Sequence, residues 1–169
     1  MVQTLTSLLL KDFLKDTKYF VDSNIFIYFL LGHKTYSPII KSFFNEIEKG
    51  EIKAYINPTI VSEVYFNYIR IKISEKYKIS PKDSNLYIKK DPDVIREINL
   101  GVINEIFSLP NIYLLNIENL IKIQSAIFDY SLLPNDAIHV ATCIEHEITN
   151  IATNDKDFER VNFLKIWKI

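Results

Sequence analysis

Four carboxylates stand where acidic side chains are costly: Asp22 in YFVDSNIFIYFL, Glu63 in TIVSEVYF, Asp136 in LLPNDAIHVA and Asp155 in NIATNDKDF. Each lies in or beside an apolar, core-forming run, and a charge buried there without a partner is strongly disfavoured. Converging on one point, the four would repel each other unless shared protons or a cation compensated. Hard divalent cations such as Mg2+ and Mn2+ take carboxylate oxygens, with water filling the remaining positions. A cation held in this way lowers the pKa of a bound water, holds a phosphate oxygen and stabilises a leaving oxyanion. Those are the requirements of phosphodiester hydrolysis. No serine, cysteine or histidine nucleophile is needed.

Taken singly, each acid also has a structural explanation. Asp22 precedes an apolar helical run and suits an N-cap, as does Ser23. Asp136 falls in a first helical turn, where the helix dipole favours negative charge. Asp155 and Asp157 suit a turn. Glu63 is different: it interrupts Ile60, Val61, Val64, Tyr65 and Phe66 on an apolar helix, with no local cation before Arg70. His139 follows Asp136 by three residues and shares its helical face. An Asp-x-x-His pair can ligate zinc, but the only other histidine at helical spacing is His146, two turns on, so a partly buried structural histidine is expected.

These residues must be positioned by the elements around them. Five strand-like runs, Tyr19–Val21, Lys53–Ile56, Ile112–Leu115, Asn150–Thr153 and Leu164–Trp167, alternate with helical patterns. Leu5, Leu8, Leu9 and Phe13 form a helical stripe before the first strand. Asn57-Pro58 reads as an N-cap followed by proline at the first helical position, opening a helix to about Tyr77. A second helix is expected from Asp91-Pro92 to just before Pro110, a third capped by Asn116, and a last one introduced by Pro134-Asn135. Residues 78–91 read as a polar connection. Alternating strands and helices predict an α/β domain, a parallel sheet with helices on both faces. In such sheets functional residues gather at the carboxyl ends of the strands, which is where all four acids fall.

Composition excludes several classes. Three glycines, with no GxGxxG or Walker-type stretch, leave no glycine-rich phosphate loop. A single cysteine, Cys143, allows neither an intrachain disulfide nor a cysteine-based zinc site. The N-terminal residues have no basic region before a long apolar run, so neither signal peptide nor membrane span is expected and a cytoplasmic location is the default. A net charge of −1 confines any nucleic-acid contact to a local patch. Between Arg70 and Glu97 basic residues outnumber acidic ones, and Lys72, Lys76, Lys89 and Lys90 are interleaved with tyrosines. Such a stretch could meet phosphates and unstacked bases, or be a solvated helix face.

DSNIFIYFL, the helical Glu63, LPNDAIHVATCIEHE and TNDKDF, in that order and spacing, resemble the PIN-domain ribonucleases, and in particular the VapC-type toxins of toxin–antitoxin pairs. The resemblance spans Tyr19 to Trp167. It implies a central five-stranded parallel sheet, one PIN-like domain over residues 1–169 with a helical extension at 1–18, and a homodimer. It further implies that Asp22, Glu63, Asp136 and Asp155 hold Mg2+ or Mn2+ and activate water to cut RNA, leaving 5′-phosphate and 3′-hydroxyl ends. Asn24, Thr153, Asn154 and Asp157 match supporting positions, and an antitoxin protein is the implied partner. The segment before Tyr19 and the stretch around Ile73–Asn99 are longer than in compact members. The main competing function is a catalytically silent PIN-fold module that binds RNA or protein in an RNA-processing assembly. A haloacid-type phosphatase would need an aspartate where Asn24 stands, and a receiver domain would need paired acids where Ser23 stands.

Overall fold

The computed structural model describes residues 8–169. In chain order the strands are β1 (Leu8–Leu9), β2 (Thr17–Val21), β3 (Ile52–Ile56), β4 (Ile112–Leu114), β5 (Asn150–Ala152) and β6 (Lys165–Lys168). The α-helices are α1 (Ser23–Leu30), α2 (Ser37–Glu48), α3 (Pro58–Tyr77), α4 (Ser84–Lys90), α5 (Gly101–Phe107), α6 (Ile121–Tyr130) and α7 (Pro134–Glu145). All strand pairs are parallel, in the order β1-β6-β5-β2-β3-β4. The chain leaves β2 towards β3 on one side, while β5 occupies the other, so the order reverses between β2 and β5. In open parallel sheets a crevice forms at such a reversal, beyond the carboxyl ends of the strands.

Tyr19, Phe20 and Val21 of β2 and Ile151 and Ala152 of β5 are wholly buried. Near-continuous apolar runs of this kind mark strands covered on both faces. Against β2 pack Phe43 and Trp167, each edge-on to Tyr19 at 5.3 and 5.5 Å. The apolar centre thus anchors the two strand ends that carry the acidic residues.

The sheet has six strands, not the expected five, and the sixth lies where a helix was expected. Leu8 and Leu9 pair with Trp167 and Lys168 at the edge of β6, and only Leu10–Asp12 forms a 3-10 turn. The short continuous run Leu8–Leu10 does not by itself distinguish helix from strand, and the edge of β6 decides the matter by supplying backbone partners. Leu5 lies outside the described residues. The helix expected from Asp91 to Pro110 is two pieces, a 3-10 turn at Pro92–Glu97 and α5. Ile98 is extended between them, and Asn99 Oδ1 takes the Gly101 N–H at 3.0 Å, a local side-chain bond that competes with helix continuation. The polar connection at 78–91 contains α4. Asn116 caps nothing; α6 starts at Ile121, whose N–H donates to Asn119 Oδ1.

Candidate active site

Asp22 follows β2 directly and is the N-cap of α1. Its Oδ1 accepts from the Ser23 N–H at 2.6 Å, and its Oδ2 accepts from Asn24 Nδ2 at 2.6 Å and Thr153 Oγ1 at 2.5 Å. At 5% exposure it is buried, and burial pushes its carboxyl above the ordinary range. The structural and functional explanations of Asp22 are therefore both realised in one side chain.

Glu63 stands in the second turn of α3, held there by the Asn57 cap. Asn135 Nδ2 donates to its Oε1 at 2.8 Å, and His139 Nε2 lies 3.5 Å from its Oε2. Burial pushes this carboxyl up, but the hydrogen bond of His139, with further bonds from Ser23 and Asn135, outweighs it and holds Glu63 below its usual value. Asp136 lies in the first turn of α7, which has Pro134 at its start and no side-chain cap. Burial, followed by the neighbouring charge of Asp155, raises its carboxyl to about 6. Asp155 follows β5; its N–H donates to Thr153 Oγ1 at 2.9 Å, and its Oδ1 accepts from the Asp157 N–H at 2.8 Å.

The side chains form two adjoining clusters. Asp22, Glu63 and His139 have ligand atoms within 4.8 Å of one another, and so do Asp136, Asp155 and Asp157. Asp136 feels the charge of Asp22 as well as those of Asp155 and Asp157, which joins the clusters electrostatically. The four acids of the sequence pattern are thus brought to one edge of the sheet, at the β2–β5 reversal. The donor atoms are mostly carboxylate oxygens, the hard set suited to a divalent cation. Burial, and after it the charge of Asp155, lifts Asp136 to about 6, and a cation bound among these carboxylates would relieve both.

Thr153 is wholly buried and ties the two strand ends together: it donates to Asp22 and accepts from Asn24 Nδ2 at 3.1 Å and from the Asp155 N–H. The Asn154 side chain turns away, its Oδ1 accepting from the Ile169 N–H at 2.9 Å, while its backbone N–H donates to Asn24 Oδ1 at 3.3 Å. Asp157 also pairs with Arg160 at 2.6 Å. His139, expected to be partly buried, is fully enclosed and meets Glu63. Asn57 caps α3 as expected, but neither it nor Asn135 was expected to reach the site. The signal for Asn135 was its place beside Asp136 in the first turn of α7; for Asn57 it was the cap itself. Lys72 and Lys76 are paired with Glu75 and Glu97 at 2.9 and 2.7 Å. Lys89 and Lys90 lie exposed at the end of α4. Among the described residues, none of these four lysines has a hydrogen bond or ion pair with the acidic clusters.

The family model of the PIN domain matches residues 19–164. The chain belongs to the PIN domain family. This PIN domain is 38% identical over 157 residues to Ribonuclease VapC2 of Methanocaldococcus jannaschii, covering 92% of this chain and 97% of the relative. It is 27% identical over 155 residues to Ribonuclease VapC6 of the same organism, covering 88% and 95%. Its fold is similar to that in the crystal structure of VapBC2 from Rickettsia felis bound to a DNA fragment from their promoter. The TM-score is 0.57 and the identity 13%, over 90% of this chain and 99% of that one. A toxin–antitoxin complex from Klebsiella pneumoniae gives a TM-score of 0.54 at 17% identity, over 86% and 94%. No described helix of this PIN domain is long and apolar enough to cross a membrane.

Proposed function

We propose that this PIN domain is a metal-dependent endoribonuclease, the toxin of a toxin–antitoxin pair. The observation that carries the proposal is the meeting of two carboxylate clusters at the β2–β5 reversal, in a chain 38% identical to a ribonuclease. Asp22, Glu63, Asp136 and Asp155 are the proposed catalytic and metal-holding residues, with Mg2+ or Mn2+ as the ion. When bound, the ion supplies a water of lowered pKa and a positive charge for the leaving oxyanion. The chain's own residues prepare the place. Thr153 and Asn24 fix both the rotamer of Asp22 and the spacing of the strand ends. Asn135 and His139 address the two oxygens of Glu63. Asp136 and Asp155 concentrate the negative charge that draws a cation in. The decisive experiment is a cleavage assay on structured RNAs with metal removed by EDTA and then restored as Mn2+. Activity that survives EDTA would sink the reading.

Of Lys72, Lys76, Lys89 and Lys90, the last two are the ones without an acidic partner among the described residues, since Lys72 and Lys76 are already engaged by glutamates. Reversing both to glutamate is expected to weaken RNA binding several-fold and to flatten its salt dependence, because counterion release scales with phosphates neutralised. An unchanged salt slope would remove this wall from the substrate path.

The antitoxin partner rests on the toxin–antitoxin likenesses. A homodimer through the outer face of α6 belongs to the same proposal. Ile121 and Phe128 are 72% and 74% exposed, and they share a stripe about 100° wide with exposed Gln124 and Ser125. Exposed Leu120 and Leu133 lie at its two ends. The stripe carries no charge, so a two-fold axis can set it against its own copy without like-charge contacts. Phe128→Glu is expected to give a monomer by sedimentation velocity at concentrations where the wild type dimerises. A monomeric wild type would overturn this.

A further inference from the structure

His139 is the member of the Asp22 cluster whose chemistry is least obvious. Its imidazole is 1% exposed, with the rings of Phe20 and Phe158 at centroid distances of 5.5 and 6.4 Å. Nε2 is buried 3.5 Å from Glu63 Oε2 and has no hydrogen-bond partner at normal distance. Nδ1 lies 3.2 Å from Asn57 Nδ2. Two roles compete at Nε2. A bare lone pair could ligate a metal alongside Asp22 and Glu63, whereas a protonated nitrogen can only donate.

A helix cap decides between them. Asn57 is wholly buried and caps α3, its Oδ1 accepting from the Ile60 N–H at 3.0 Å. A backbone N–H only donates, so the carbonyl end of the amide must face it and the NH2 end must face away. One amide hydrogen goes to Thr142 Oγ1 at 2.9 Å. The Thr142 hydroxyl spends its own hydrogen on the Ile138 carbonyl at 2.8 Å, so its oxygen is free to accept. The second amide hydrogen then points at His139 Nδ1, which must accept it. A neutral imidazole that accepts at Nδ1 carries its proton on Nε2, the edge facing Glu63.

We propose that Asn57 fixes the tautomer of His139, and that His139 is a positioning residue that donates from Nε2 to Glu63 and is not a metal ligand. The functional half of the inference rests on the reading of Glu63 as a metal-holding carboxylate. Asn135 and His139 then hold one Glu63 oxygen each, fixing the plane of the carboxylate while its remaining lone pairs serve the ion. Chain groups that orient a ligating carboxylate are typically worth 10–100-fold in metal affinity.

Two measurements test this, neither of which reads nuclease activity. Long-range proton–nitrogen correlation NMR of the metal-free protein is expected to find His139 Nδ1 bare and Nε2 protonated. Asn57→Asp keeps the cap, since aspartate caps as well as asparagine, but presents only acceptor oxygens, and is expected to bring a proton onto Nδ1. A proton on Nδ1 in the wild type overturns the proposal. In Mn2+ calorimetry, His139→Phe is expected to lower affinity about ten-fold or more. His139→Gln, whose amide can still donate to Glu63, is expected to restore most of it. Equal affinities in the two variants overturn the positioning role. Glu63→Gln separates the two levels: Mn2+ binding unchanged in that variant defeats the metal-site reading and the positioning role with it, while the tautomer is judged by NMR alone.

Discussion

Asp136→Asn is expected to abolish Mn2+-dependent RNA cleavage and at the same time to raise the melting temperature of the metal-free protein at pH 7. The loss of activity should be at least about 100-fold, since even groups that merely orient ligands are worth 10–100-fold. The gain in stability follows from the raised carboxyl of Asp136, at about 6 against the ordinary 3.8, caused first by burial and then by Asp155. The folded state binds this proton more tightly than the unfolded chain does. The contribution to stability is therefore complete below about pH 3.8 and is lost as pH rises through about 6. The full shift would correspond to about 3 kcal/mol at neutral pH, but Asp136 is only partly buried, and solvent screening reduces this to about 1–2 kcal/mol.

Against it stands the helix dipole. An ionised carboxylate in the first turn of α7 gains roughly 0.3–1 kcal/mol, which asparagine forfeits. The cost of burying this charge beside Asp155 still wins, leaving a net gain of about 1 kcal/mol, or roughly 2–4 °C for a chain of this size. Thermal melts across pH check the sign: the difference between variant and wild type should shrink as pH falls to about 4. Adding Mn2+ should stabilise the wild type by about 2.7 kcal/mol at a hundred times its dissociation constant, and the variant far less. A variant that is less stable than wild type at pH 7, or equally stabilised by Mn2+, would remove Asp136 from the metal site.

The same balance explains what could be read in the sequence. Glu63 was legible because an apolar helix has no structural use for a carboxylate, and its neighbours prove to be Asn135 and His139 rather than a cation. The convergence of the four acids was legible because alternating strands and helices force a parallel sheet whose strand ends share one edge. Their division into two clusters was not, since it depends on side-chain reach across the β2–β5 crevice. His139 looked like a core histidine because helical spacing records only its face. Its bond to a cap 82 residues away belongs to tertiary structure. The β1 strand was hidden for a similar reason: two leucines have no intrinsic strand signal, and the edge of β6 determines their conformation.

Asp22→Ala should have the opposite stability signature from Asp136→Asn, although both should be inactive. Asp22 is the acceptor for the Ser23 N–H, the Asn24 amide and the Thr153 hydroxyl, all at the N-terminus of α1. Alanine leaves three donors without their acceptor in a buried place, at about 1–3 kcal/mol for each that finds no substitute, and removes an N-cap worth about 1 kcal/mol. Removing a carboxylate that burial has pushed upward gives some of this back. The bonds outnumber that relief, because Asp22 has three specific donors where Asp136 has mostly like-charged neighbours. A net loss of about 2 kcal/mol is expected, a fall of roughly 4–8 °C in melting temperature. Thr153 also joins β2 to Asp155 through the same oxygen, so freeing it should loosen the turn that presents the second cluster. An inactive Asp22→Ala would therefore not by itself identify a metal ligand, whereas an inactive and stabilised Asp136→Asn would. If Asp22→Ala melts at or above the wild-type temperature, its network is dispensable and the residue is present for the ion alone.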